Sequence, residues 1–218
     1  PNLRLHISKF NEVPPSQLGT VTILDYVQDL EKEIYKLNVC PVIMGHSMGG
    51  LLAQILATRG LAKALVLLAP TPPYGIMNIR YSALRGFWSV ITKWGFWKMP
   101  ICQTFEEAAY SILHLLPLKE QKQVFNEMVY ESGRVLLEIG LWFLDFKKAS
   151  RVDESKVNCP VLVIAGSEDR ITPPSIARKV ARKYKSTYKE FSNHAHWIIG
   201  GPGWEEVANY IFNWLTKL

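Results

Sequence analysis

Apolar residues recur at helical spacing through Leu24, Val27, Leu30, Ile34 and Leu37, which predicts a helix opened by Thr22-Ile23-Leu24-Asp25 and running to about Leu37. The pattern then changes period. Val39-Cys40-Pro41-Val42-Ile43-Met44 is short and β-rich, and after a glycine-rich turn Leu51 to Ala57 again reads as helix. Ala64-Leu65-Val66-Leu67-Leu68-Ala69 is a continuous apolar run closed by Pro70, the pattern of a strand buried on both faces. Helix, strand, helix, strand in that order implies a parallel sheet with right-handed crossovers.

Between residues 71 and 152 the strand signals vanish. Thr104-Phe105-Glu106-Glu107 is a capping box for a helix stopped by Pro117, and two further helical stretches, 119–131 and 134–148, are separated by Gly133. This span reads as an all-helical insertion. The sheet resumes at Val161-Leu162-Val163-Ile164-Ala165-Gly166. Pro173-Pro174 opens a helix to about Tyr184, Tyr188 to Phe191 is a last short strand, and Trp204 to Leu218 is a closing amphipathic helix. The expected organisation is an α/β core, residues 1–70 and 153–218, interrupted by a helical lid at 71–152.

Composition constrains the partners. The chain has 218 residues, nearly half of them apolar, with a formal net charge of +6. The basic cluster Arg178-Lys179 and Arg182-Lys183-Tyr184-Lys185 falls in helical register. It reads as a solvated helix face rather than a nucleic-acid surface. Cys40, Cys102 and Cys159 have no metal-ligand spacing, and an odd count argues against a disulfide framework. Cys40 and Cys159 each precede a proline at a strand entrance and are expected to be small buried apolar residues. A reducing cytoplasm is the expected location. No run is long enough to span a bilayer.

The chemistry is concentrated at Gly45-His46-Ser47-Met48-Gly49, a G-x-S-x-G sequence between a strand and a helix. Such a nucleophile elbow holds a serine hydroxyl on a tight turn at the top of a sheet, and a side chain at Gly45 or Gly49 is expected to crowd it. A serine hydroxyl needs a base to take its proton, and the base needs a carboxylate to orient it. In this chain order the acid belongs after a later strand and the histidine after the last. Glu168 and Asp169 occupy the first slot and His194 and His196 the second, with Asp169 and His196 favoured. The Met48 N–H is placed to stabilise an oxyanion. His46 is read as local packing or a pocket wall, and His114 as a core or pocket-wall residue.

These segments resemble the α/β-hydrolase superfamily, in particular its capped lipase and esterase-like branch. The resemblance rests on Gly45-His46-Ser47-Met48-Gly49-Gly50, on Ala165-Gly166-Ser167-Glu168-Asp169-Arg170 and on His196-Trp197. It implies Ser47, Asp169 and His196 as the catalytic residues, with no cofactor and no metal. The family's earlier strands and its His-Gly oxyanion loop have no counterpart here. Pro1 to His6 is therefore expected to follow the family's fourth strand, which leaves an edge of the elbow strand bare and the second oxyanion donor unassigned.

The expected reaction is hydrolysis of a small-molecule carboxylic ester, such as a medium-chain ester, monoacylglycerol or lysophospholipid, through an acyl-serine. Aromatics in the insertion, Trp88, Trp94, Trp97 and Trp142, together with Pro72, Tyr74, His46 and Trp197, are the expected pocket for an apolar acyl or aromatic group. Contact with a membrane surface is left open. The rival readings are another reaction of the same triad, such as acyl transfer or thioester, perhydrolase or carbon–carbon cleavage, and a small-molecule-binding protein or pseudoenzyme.

Overall fold

The structure is a computed structural model that describes residues 1–6 and 12–218. After a 3-10 turn at Ser16–Thr20, the core begins with α1 (Ile23–Tyr35), β1 (Val42–His46), α2 (Met48–Ala57) and β2 (Ala64–Leu68). An insertion follows, with α3 (Tyr81–Gly86), α4 (Trp88–Ile91), β3 (Pro100–Ile101), α5 (Phe105–Ser111), α6 (Leu118–Phe125), β4 (Glu131–Ser132) and α7 (Gly133–Gly140). The core then closes with β5 (Val161–Gly166), α8 (Pro174–Tyr184), β6 (Thr187–Phe191) and α9 (Trp204–Leu215).

The main sheet has the order β1-β2-β5-β6 and every pairing is parallel. All residues of β2 and β5 are buried, as expected of strands covered on both faces. Alternation assigns the faces. Leu65, Leu67, Val161 and Val163 pack with Ala177 and Val180 of α8 and Ala53 of α2. Val66, Leu68, Leu162 and Ile164 pack with Val207 and Ile211 of α9. A third cluster joins α1 to α2 through Tyr26, Val27, Leu52 and Ile55. Among the described residues β1 pairs only with β2, and its Val42 and Met44 are exposed.

Both capping boxes close. The Thr22 hydroxyl accepts from the Asp25 N–H, and that of Thr104 from the Glu107 N–H. Such a cap is typically worth about 1 kcal/mol.

Several details differ from the sequence reading. The buried stripe of α1 is Ile23, Tyr26 and Val27, whereas Leu24 and Leu37 are exposed. Packing rotates the helix toward Tyr26, whose hydroxyl donates to Glu131 of the insertion at 2.6 Å. The insertion is not wholly helical, because β3 and β4 pair as a short antiparallel ribbon. Its last two helices are shorter than expected. Cys40 is exposed, since β1 begins only at Val42 and leaves it outside the sheet.

Candidate functional site

Three loops at the carboxyl ends of parallel strands meet above the sheet, the place where open α/β sheets bind ligands. Ser47 follows β1, Asp169 follows β5 and His196 follows β6. Ser47 has φ 52° and ψ −121°, a backbone region that few non-glycine residues adopt. Strain of this kind costs about 1–3 kcal/mol and persists only where the surroundings enforce it. Here the Ser47 N–H donates to the Leu68 carbonyl and its own carbonyl accepts from Gly50 and Thr71, which lock the turn.

The glycines of the elbow are not equivalent. A Cβ on Gly45 would lie 2.2 Å from the Gly49 carbonyl oxygen, so this position must be glycine for the turn to close. A Cβ on Gly49 would meet nothing within 4 Å. The expectation of crowding at Gly49 is therefore corrected: its Cα faces open space at the start of α2.

The side chains form a continuous relay. The Ser47 hydroxyl oxygen lies 2.9 Å from His196 Nε2, and His196 Nδ1 lies 2.8 Å from Asp169 Oδ2. With Asp169 ionised, Nδ1 carries the proton and Nε2 is left with its lone pair toward Ser47. Asp169 and His196 are buried. Burial alone would raise the Asp169 carboxyl, but His196 and the N–H groups of Thr172 and Ile171 outweigh it and hold it below the usual carboxylate range. Asp169 Oδ1 accepts both of those N–H groups at 2.8 Å. The Thr172 hydroxyl sits 2.9 Å from Oδ2. Glu168 points elsewhere, toward the Ser167 hydroxyl. His194 bonds through Nδ1 to the Ser192 carbonyl and has no contact with Ser47.

Two supporting contacts escaped the sequence reading. Gly166 ends β5 where a Cβ would lie 2.3 Å from the His194 carbonyl oxygen, so its bare Cα lets the histidine loop close onto the acid loop. His46 lines neither cavity beside Ser47 and instead holds the histidine loop: its Nε2 donates to the His196 carbonyl at 2.7 Å. Desolvation of the ring and the neighbouring His196 push the His46 pKa down to about 4. The only sequence signal for this pair is that both residues flank strand ends of one parallel sheet.

A cavity of about 420 Å³ opens beside Ser47 and Met48, lined by Phe87, Met128, Val135 and Leu136 among others. A second, of about 400 Å³, shares Thr71, Phe87, Leu136, Ile139 and Ile171 with it and is almost wholly apolar. Of the expected pocket residues, Pro72 lines the second cavity. The tryptophans do not line either. Trp94 is 90% exposed and Trp88 60%. Trp97 packs edge-on against Trp94, Trp142 packs on Tyr74, and Trp197 packs edge-on against His46. The correction has a plain cause. The walls come from smaller residues of short helices, the β3–β4 ribbon and neighbouring loops, whereas Trp88 and Trp94 are exposed and Trp97, Trp142 and Trp197 pack on neighbouring rings. The Met48 N–H opens α2, where no earlier residue of the helix can accept from it, and it points to the free end of the macrodipole. Among the described residues no group of three or more His, Cys, Asp or Glu could hold a metal ion.

Residues 17–200 match the family described as serine aminopeptidase, S33, and the chain belongs to it. The fold is that of the α/β hydrolases. The solved structures it resembles include a monoacylglycerol lipase from Paleococcus ferrophilus, 21% identical with a TM-score of 0.65, covering 94% of this chain and 79% of that one. A methylesterase from Arabidopsis is 12% identical with a TM-score of 0.69, covering 98% and 85%. A serine hydrolase involved in carbazole degradation is 17% identical with a TM-score of 0.60, covering 98% and 78%. At these identities the likeness is one of fold. No curated protein matches the sequence. No helix among the described residues is long and apolar enough to cross a membrane.

Proposed function

We propose that this hydrolase cleaves carboxylic esters bearing an apolar acyl or aromatic group, through an acyl-serine intermediate. The observation that carries the reading is the unbroken relay from Ser47 through His196 to a buried Asp169, opening onto a mostly apolar cavity. Ser47 Oγ attacks the acyl carbonyl carbon while His196 Nε2 takes its proton. The carbonyl oxygen becomes an oxyanion facing the Met48 N–H. Collapse expels the alkoxide, which leaves with the proton from His196. Water then repeats the sequence on the acyl-serine and frees the acid and Ser47. Asp169 stays ionised and steadies the imidazolium. The insertion acts as the lid that supplies the acyl-binding walls.

The family's description brings a second reading, an aminopeptidase, and one observation favours it. Glu127 and Glu131 line the cavity beside Ser47 and would attract a substrate ammonium group. Glu131 is already engaged by Tyr26 and His6, which leaves Glu127 at the rim.

The test is turnover of p-nitrophenyl esters from acetate to palmitate beside aminoacyl p-nitroanilides, for the chain and Ser47→Ala. Ester turnover that peaks at one acyl length and vanishes in the variant supports the proposal. Turnover confined to the anilides would replace it with the aminopeptidase. Stoichiometric labelling of Ser47 by a fluorophosphonate without turnover of either would mark a binding protein.

A further inference from the structure

The segment from Thr71 to Phe105 carries Arg80, Arg85, Lys93 and Lys98 and not one Asp or Glu. It also exposes several large apolar side chains. Tyr81 is 76% exposed, Trp88 60% and Trp94 90%. A lone exposed apolar residue is ordinary, but a cluster of large ones with a polar rim marks an interaction surface, and here the neighbouring carboxylate of Glu107 is occupied by the N–H and hydroxyl of Ser89. Two of the cations have local partners: Arg80 reaches the Ser175 hydroxyl and Arg85 stacks over the Tyr110 ring. Lys93 and Lys98, by contrast, are exposed on either side of Trp94 and form no ion pair among the described residues.

The patch is continuous with a cavity. Ile79 and Leu84 are partly exposed, and both also line the apolar cavity that shares Thr71, Leu136 and Ile171 with the cavity at Ser47. Leu141 lines it too, and the turn just after it exposes Phe143 and Leu144.

We propose that this face of the insertion docks on an anionic lipid surface, with Trp88 and Trp94 at the headgroup level and Lys93 and Lys98 against lipid phosphates. Tryptophan favours that boundary because its ring is apolar and its N–H polar. An exposed lysine near an anionic leaflet strengthens binding about fivefold, and the effect falls away within a Debye length. An acidic protein partner would satisfy the lysines but would not account for an apolar cavity opening among the exposed side chains. Docking brings that mouth against the hydrocarbon boundary, so an acyl chain can enter without crossing water. The docking itself does not depend on the ester reading.

Co-sedimentation of the full chain with vesicles of ether-linked lipids tests this, since such lipids present headgroups without a cleavable ester. Phosphatidylcholine alone is compared with phosphatidylcholine containing phosphatidylglycerol. The expected result is binding to the anionic vesicles that weakens as salt is added. It should fall about tenfold or more in Lys93→Glu/Lys98→Glu and in Trp94→Ser. Turnover of soluble p-nitrophenyl acetate should stay unchanged in these variants, and an unchanged melting temperature would show the fold intact even without turnover. Absence of binding, equal binding to both vesicles, or binding indifferent to the substitutions would overturn the proposal.

Discussion

His46 Nε2 donates to the backbone carbonyl of His196 at 2.7 Å, so the residue next to Ser47 holds the loop that carries His196. The carbonyl can only accept, so His46 carries a proton on Nε2, and with its pKa pushed down to about 4 the ring is neutral at pH 7. The two rings lie 4.9 Å apart between centroids. The elbow and the histidine loop are separate in sequence, and this bond ties them directly.

His46 is therefore expected to act as a positioning residue. His46→Ala should lower kcat on a p-nitrophenyl ester about tenfold with little change in KM. His46→Gln, whose amide N–H can reach the same carbonyl, should recover most of the loss. A packing role alone would make the two variants equally poor or equally good, so the kcat and KM of the pair decide between the two roles.

The same residue should make the fold acid-sensitive. Its folded pKa, about 4, lies below the ordinary histidine value, so between those two pH values the unfolded chain binds the extra proton. Stability contributed by neutral His46 is thus fully present above about pH 6.5 and is lost as pH falls toward about 4. Asp169, held below the usual range, adds a loss in the same direction at lower pH. Denaturant melts from pH 7 to pH 4.5 should show a steeper decline in the wild type than in His46→Gln. Parallel curves would remove His46 as the cause.

Asp169→Asn probes the tautomer argument. The substituted amide still offers an oxygen to the Ile171 and Thr172 N–H groups, so the loop should hold. Its NH₂ would face His196 Nδ1, drive the proton to Nε2 and leave no lone pair for Ser47. A fall in kcat on the order of ten-thousandfold is expected, with the melting temperature little changed. A loss below about tenfold would mean that another group orients His196.

Much of this site could be read from the sequence because each member of the relay follows a strand; the strands before Ser47 and Asp169 carry clear apolar runs, and the one before His196, Thr187–Phe191, is weaker. Val161 to Gly166 is a pure apolar run, and Asp169 comes three residues after it. Strong periodicity places strand ends, and strand ends place Ser47, Asp169 and His196. The cavity was not legible in that way. Its walls come from short helices such as α4 and α7, from the two-residue strands β3 and β4 and from the loops beside them, whose inward faces depend on docking rather than on their own pattern. Aromatic content drew attention to Trp88 and Trp94, but amphipathic rings are as suited to a surface as to a pocket. The rotation of α1 toward Tyr26 likewise goes with the Tyr26–Glu131 contact, between residues more than a hundred apart in the chain.

Gly166 offers a test of the loop closure. In Gly166→Ala the added methyl would sit 2.3 Å from the His194 carbonyl oxygen, which also accepts from the Glu168 N–H. One of the two loops must move. A stability loss of about 1–3 kcal/mol is expected, as for other overpacked sites. Because the displaced loop carries His196, fluorophosphonate labelling of Ser47 should slow as well. If labelling stays at the wild-type rate while the protein melts earlier, the close approach serves stability and not the relay.

Leu136 separates substrate size from catalysis. It is one of five residues that line both the cavity at Ser47 and the adjoining one, so its side chain borders the passage for a group that reaches from the first into the second. An acyl chain short enough to stay in the first cavity should not sense a larger residue there, whereas a long chain must pass it. Leu136→Trp is therefore expected to leave kcat/KM for the acetate within about threefold and to cut it for long acyl chains by tenfold or more, which shifts the optimum to shorter esters. Removing or adding one well-packed methylene is worth about 1–3 kcal/mol at such a wall, enough for that change. Leu136→Ala should shift the optimum the other way. Competition assays with mixed acyl lengths would report both shifts at once. An optimum that moves in neither variant would place the acyl group outside these cavities.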